Sequence, residues 1–426
     1  MTNLFCHQTL LSMLVSIALC PAAQAQDRRS VAEPIAPQQV CARLIPASKN
    51  ETTRLQDAID HCPAGAAVYL ARGEFRSGPL KMKSGVTLWI ERNATLFAIP
   101  EPTVYDKGWD WGGCGTIDNN GDRCRPFITF SKTFGGGIYG AGIIDGLGGA
   151  YVVGSAGPWW RLARRAQTEG GILNAPRLIE IDHAKEITFH GITLRNAPNF
   201  HVAMNRVEGA TFWGVTIDAP ANIRNTNGID ADASQDVTIM HSLIRAGDDN
   251  VAIKASNNGP TRYISIIDNY FGWGHGMSIG SGLGSGVSDI LVRDLTLDGT
   301  TSGLRIKSDV SRGGLVENVT YENVRLRGNR WPIIFDTKYD PHAAGHSIPV
   351  YRQIVLRHVR GGEGTLLMRG LDQEHALEIT LDDVRFADSA NWQIGNAKVT
   401  IGSSGVSPPL PDRTGRPVPS TPKQRF

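Results

Sequence analysis

One strand pattern recurs through the second half of this chain and limits what it can fold into. The copies are ITFHGITL from Ile187, ATFWGVTI from Ala210, VTIMHSLI from Val237 and ISIIDNYF from Ile264, followed by ILVRDLTL from Ile290, VTYENVRL from Val319, IVLRHVRG from Ile354 and ITLDDVRF from Ile379. They start 23 to 35 residues apart. Each alternates apolar and polar residues, which is the signature of a strand with one buried face. No long helical pattern separates them. Parallel strands need a crossover of a dozen or more residues, and each interval here supplies it as a further strand plus turns. The spacing predicts an all-β fold, a parallel β-helix with one continuous core.

A second strand aligns in the same way. Asn227-Gly-Ile-Asp-Ala-Asp232 matches Asp249 to Lys254, His275 to Gly280 and Ser302 to Lys307. Ile229, Val251, Met277 and Leu304 then point inward. Asp230, Asp232, Lys254, Arg305 and Lys307 point outward by period-two alternation. Asn227, Asp249 and His275 fall just before this strand on consecutive rungs, about 4.8 Å apart, with Asp248 beside Asp249.

Each of these groups also has a bland reading. Two adjacent aspartates are commonly a solvated turn, a histidine between Gly274 and Gly276 is commonly a turn residue, and Arg305 with Lys307 could be a solvated strand face. Their coincidence on one face favours chemistry. Like charges at close range raise one carboxyl pKa, while a nearby cation keeps the other ionised, which suits general acid–base work. Arg305 and Lys307 are suited to clamp a substrate carboxylate. Tyr339 is a candidate for stacking on a sugar ring.

The 426 residues include 48 Gly and carry a net charge of +2, so no global attraction to nucleic acid is implied and any affinity for an acidic ligand must be local. Residues 1–25 read as a signal peptide: Leu10 to Leu19 is apolar and Ala23-Gln24-Ala25 offers a cleavage site. That run is too short to span a bilayer stably, so a secreted or periplasmic protein with no membrane anchor is expected. Four cysteines follow, Cys41, Cys62, Cys114 and Cys124. Their even number in an exported chain suggests two disulfides, and proximity favours 41–62 and 114–124 among three connectivities. No metal or other cofactor is expected. Residues 26–38 read as a flexible leader, 39–405 as the β-helix and 406–426 as a disordered Pro-rich tail. A helix over Thr53 to Cys62, capped by Thr52 or Thr53, is expected to cover the open end of the solenoid.

Asn225-Thr226-Asn227-Gly228, Gly247-Asp248-Asp249, Gly274-His275-Gly276 and Arg305-Ile306-Lys307, in that order, resemble the four signatures of glycoside hydrolase family 28, the polygalacturonases. The segments from Gly78 and Ser84 also look like bacterial members. The resemblance covers roughly residues 40 to 400. It implies a right-handed, single-stranded, pectin-lyase-like β-helix that hydrolyses α-1,4-galacturonosidic bonds in pectin with inversion and acts as a monomer. By the family's pattern Asp248 is the general acid, Asp249 helps to activate water and His275 supports the site. Arg305 and Lys307 bind galacturonate; beside the family's pattern, Lys254, Tyr339 and Asn225 are this chain's own further candidates for substrate contact. An inverting pair is expected to hold its carboxyls about 6.5–9.5 Å apart.

The departure is Asn227, where the family has Asp. An amide can orient water but cannot take its proton. Three accounts compete: Asp249 alone suffices at a reduced rate and leaves the activity weakened, Asp230 compensates, or the residue was replaced and activity is crippled. Inserts from Tyr105 to Arg125, with Trp109 and Trp111, and from Tyr151 to Arg165 are read as loop packing or as a wall that makes the enzyme exo-acting. The other readings are a non-catalytic pectin-binding solenoid, a hydrolase of another pectic backbone such as rhamnogalacturonan, and a Ca²⁺-dependent lyase.

Overall fold

A computed structural model describes residues 24–108, 113–119 and 121–411. The apolar run from Leu10, Trp109, Trp111 and residues 412–426 lie outside them. The described chain winds into a right-handed parallel β-helix. A typical coil comprises Ile229–Asp232, Gln235–Met240 and Leu243–Arg245. The first of these strands belongs to an eleven-stranded sheet and the other two to a twenty-stranded sheet.

All eight copies of the strand pattern pair in the expected register: Ile187 with Ala210, then Val237, Ile264, Ile290, Val319, Ile354 and Ile379. The fifth residue of each of the eight strand copies explains how the coil turns its corner. One column reads Gly191, Gly214, His241, Asp268, Asp294, Asn323, His358 and Asp383, and every member has φ between 50° and 69°. Gly, Asn and Asp tolerate this left-handed conformation best. A corner therefore replaces a loop between two strands.

The second aligned strand is also in the expected register. Ile229, Val251, Met277 and Leu304 stack in line and are fully buried. Ala231, Ile253, Ile279 and Ile306 form the next stack inward. At the N-terminal end the helix Thr52–His61 buries Leu55 and Ile59 against the first coils. Neither threonine caps it. Asn50 Oδ1 accepts the Thr52 amide at 3.0 Å, and Thr52 Oγ1 instead accepts from the Gly78 amide at 2.7 Å. The Cys41–Cys62 disulfide ties the helix end to the strand Gln39–Leu44, with Cα atoms 5.5 Å apart. Cys114–Cys124 closes the first insert.

Two boundaries differ from expectation. The leader is a strap on the outer face of the large sheet. Asp27 accepts from Ser265 Oγ at 2.9 Å, Arg28 lies 4.4 Å over the Tyr263 ring and Arg29 donates to the Ala210 carbonyl at 2.8 Å. His190 meets Glu33 at 3.1 Å. Composition gives no hint of this, because the partners are outward side chains on separate coils. The tail also stays ordered further than expected: Val406–Ser407 pairs with Val384 and Arg385, and Trp392 Nε1 donates to the Pro408 carbonyl at 3.0 Å. Among the described residues no helix is long and apolar enough to cross a membrane.

Candidate active site

The candidate residues sit where the corner strands of the large sheet hand over to the eleven-stranded sheet. Residues 219–228 lead into Ile229–Asp232, residues 246–250 into Val251–Lys254, and residues 272–276 into Met277–Gly280. Parallel pairing stacks these turns in a column. Both inserts belong to the same column, since they precede Ile128–Ser131 and Ile179–Asp182 in that sheet. A second column of turns follows the sheet and carries residues 308–313 and Tyr339. The outward side chains of the eleven-stranded sheet form the floor between the two.

Backbone crowding sets the middle of the site. Asn250 is fully buried. Its Nδ2 donates to the Ile244 and Trp273 carbonyls at 2.9 and 3.0 Å, and its Oδ1 accepts from the Gly276 amide at 2.9 Å. A Cβ on Gly274 would stand 2.4 Å from that Oδ1, and one on Gly276 would stand 2.1 Å from the Ser302 carbonyl. The two glycines therefore let neighbouring coils close around His275. His275 Nδ1 donates to Asp248 Oδ1 at 3.0 Å, and the Asp249 amide donates to the same oxygen at 2.9 Å. The Asn225 amide reaches Asp248 Oδ2 at 3.3 Å. Asn225 thus contributes its backbone, in a left-handed conformation.

Asp249 is buried and held on both oxygens. Ser278 Oγ donates to Oδ1 at 2.7 Å, with Arg305 Nη1 3.5 Å away, and Lys307 Nζ donates to Oδ2 at 2.8 Å. Burial alone would push both aspartates up. The hydrogen bond from His275, its charge and that of Lys307 outweigh burial and hold Asp248 well below the usual carboxylate range. Lys307 and Arg305 do the same for Asp249 against the neighbouring Asp248. Both are therefore carboxylates near neutral pH.

One oxygen of Asp248, one of Asp249 and one His275 nitrogen lie within 4.8 Å of one another. The two aspartates are chain neighbours, and the Asp249 amide is tied to the Asp248 side chain. Lys307 occupies one oxygen of Asp249, and His275 donates to Asp248.

Asn227 is also buried. Its Nδ2 donates to Asp230 Oδ1 at 2.9 Å, and Asp230 Oδ2 is paired with Lys254. Burial raises Asp230 and its paired Lys254 counters that only in part. Asp230 and Lys254 therefore occupy each other, and neither stands as an open base or a free substrate cation. Beneath Asn227, the fully buried His201 donates from Nδ1 to the Asn227 carbonyl at 2.9 Å. Burial pushes this imidazole down to about 4, so it is neutral. Tyr339 lies across the floor, with Arg305 5.4 Å and Lys307 5.7 Å from its ring centre.

The structure thus brings together Asn225, Asn227, Asp248, Asp249, His275, Arg305, Lys307 and Tyr339. The sequence reading missed Ser278, Asn250 and His201. Ser278 was findable, because it shares a register position with Arg305 and alternation turns it toward the floor. Asn250 and His201 gave no signal, since their partners are carbonyls on other coils.

A parallel β-helix that lines one groove with paired carboxylates, an imidazole and basic side chains belongs to the polysaccharide-cleaving solenoids. Residues 63–404 match the profile described as Glycosyl hydrolases family 28. The chain is 41% identical over 382 residues to an endo-polygalacturonase of Pectobacterium carotovorum subsp. carotovorum, covering 88% of this chain and 94% of that protein. It is 39% identical over 392 residues to a polygalacturonase of Ralstonia solanacearum, with 80% and 73% covered. The solved polygalacturonase from Erwinia carotovora ssp. carotovora superposes with a TM-score of 0.84 at 39% identity, over 88% of this chain and all of that one. An exopolygalacturonase from Thermotoga maritima shares the fold at a TM-score of 0.72 and 18% identity, over 90% and 94%. The chain belongs to glycosyl hydrolases family 28 and is a glycoside hydrolase.

Proposed function

We propose that this protein hydrolyses α-1,4-galacturonosidic bonds inside polygalacturonate chains, with inversion. The observation that carries the reading is the cluster of Asp248, Asp249 and His275 beside Arg305 and Lys307, on adjacent coils of one groove. Asp248 protonates the leaving oxygen. In the free site it is ionised; substrate closing over the groove takes its carboxylate out of water and lets it take up a proton. Asp249 activates water. Ser278 and Lys307 fix the orientation of its two oxygens, and each oxygen keeps a lone pair that can take the water's proton. Asn227 orients that water through its amide.

Internal cleavage is supported by the relatives named endo-polygalacturonase and by the inserts, which flank the groove in one column of turns.

The test is a reducing-sugar and product-length assay on polygalacturonate with chelator present, with the anomer of the first product read by NMR. A ladder of fragments carrying inverted new ends is expected. Monomer-only release would reject the endo mode, and retained ends would reject the role given to Asp249. An ultraviolet-absorbing product would mean a lyase, and binding without release would mean a non-catalytic solenoid.

A further inference from the structure

The carboxylate clamp expected of Arg305 and Lys307 is largely committed within the protein. Arg305 is 1% exposed and Lys307 7%, and both face Asp249. A third cation meets the same tyrosine. Arg312 lies 5.7 Å from the centre of the Tyr339 ring, and its side chain is 39% exposed.

The turn that presents Arg312 is built. Arg312 Nη1 donates to the buried Asp309 at 2.7 Å. Asp309 also accepts from the Ser311 amide at 3.0 Å, and its carbonyl accepts from the Arg312 and Gly313 amides at 3.0 and 2.8 Å. Ser308 Oγ donates to the Gly313 carbonyl at 2.6 Å. The turn therefore holds without the guanidinium, while one edge of the guanidinium is anchored.

Burial points the same way. Of the three cations around Tyr339, Arg305 and Lys307 are buried against Asp249, and the accessible donors are on Arg312. A planar fork with a free edge beside an aromatic face suits a carboxylate on a stacked ring.

We propose that Arg312 is a specificity-determining substrate contact, binding the carboxylate of a uronic acid residue that lies over Tyr339. The inference rests on the polygalacturonate reading above.

The experiment compares wild type with Arg312→Ala and Arg312→Lys on polygalacturonate and on highly methyl-esterified pectin, whose esters carry no charge. Arg312→Ala should raise KM on polygalacturonate about tenfold, the scale of one lost charge-assisted hydrogen bond. The value of kcat should stay within about twofold, the loss on esterified pectin should be smaller, and Arg312→Lys should fall between. An equal change on both substrates, or no change in KM, overturns the proposal. If wild type releases no reducing ends, the hydrolase reading fails, and calorimetric binding of oligogalacturonate still decides the role of Arg312: weaker binding by Arg312→Ala supports it, while equal binding, or no binding by wild type, rejects it.

Discussion

Asn227 is the residue at which the sequence reading expects a departure from the family's pattern. Its side-chain NH2 fills the space beside Asp230, so an Asn227→Asp variant would set a carboxylate against a buried carboxylate. Two effects follow in opposite directions. A second base beside Asp249 should raise kcat by about tenfold, less than the roughly 10²–10⁴ that a sole general base supplies, because Asp249 already acts. The lost hydrogen bond and the added like charge should cost about 1–3 kcal/mol of stability. Turnover measured well below the melting range, together with denaturant unfolding, separates them; unchanged turnover would show that Asn227 leaves no deficit to repair. His201 gives a second residue-scale prediction. Its folded-state pKa of about 4 lies below the ordinary imidazole value of 6.5, so the unfolded chain binds more protons between those values. Its stabilisation is complete above about pH 6.5 and falls as pH drops toward 4, by up to about 3 kcal/mol. In His201→Asn, urea unfolding between pH 7 and 4 should show that part of the slope removed.

At the scale of elements, the strand reading transferred directly. The alternation from Ile187 onward and the alignment of Asn227, Asp249 and His275 both reappear as the pairing register. They were legible because a coil repeats its own geometry, so equivalent residues must face the same way. The left-handed corner column was in view but unread: Gly, His, Asp and Asn share a backbone requirement and no side-chain chemistry. The cap helix was placed within a residue, while its capping bond was not, because Thr52 found a stronger use against Gly78. The Cys41–Cys62 bridge closes a separation of 21 residues, for which loop entropy gives about 3 kcal/mol. Replacing both cysteines with serine should lower stability by about that much and loosen the cap first, seen as faster amide exchange in Thr52–His61. Global unfolding without early exchange there would show that the cap is not a separate unit.

At the scale of the molecule, groove and strap occupy different sheets. The strap bonds to the outer face of the large sheet at Ala210, Ser265 and Tyr263, and the groove floor is the eleven-stranded sheet. Arg28→Ala with Arg29→Ala should therefore cost about 1–2 kcal/mol through lost surface pairing and packing, with kcat/KM on polygalacturonate unchanged. A fall in kcat/KM at full stability would show that the strap reaches the site.

By itself the sequence determined the winding, the register and which residues share the groove floor, because each follows from local alternation repeated at a nearly constant interval. Tertiary structure alone decided how those residues are used. Arg305 and Lys307 face Asp249 instead of solvent, Asp230 and Lys254 take each other, and His201 sits neutral beneath Asn227. These outcomes depend on burial and on the competition for partners between coils, and neither quantity exists until the coils are stacked.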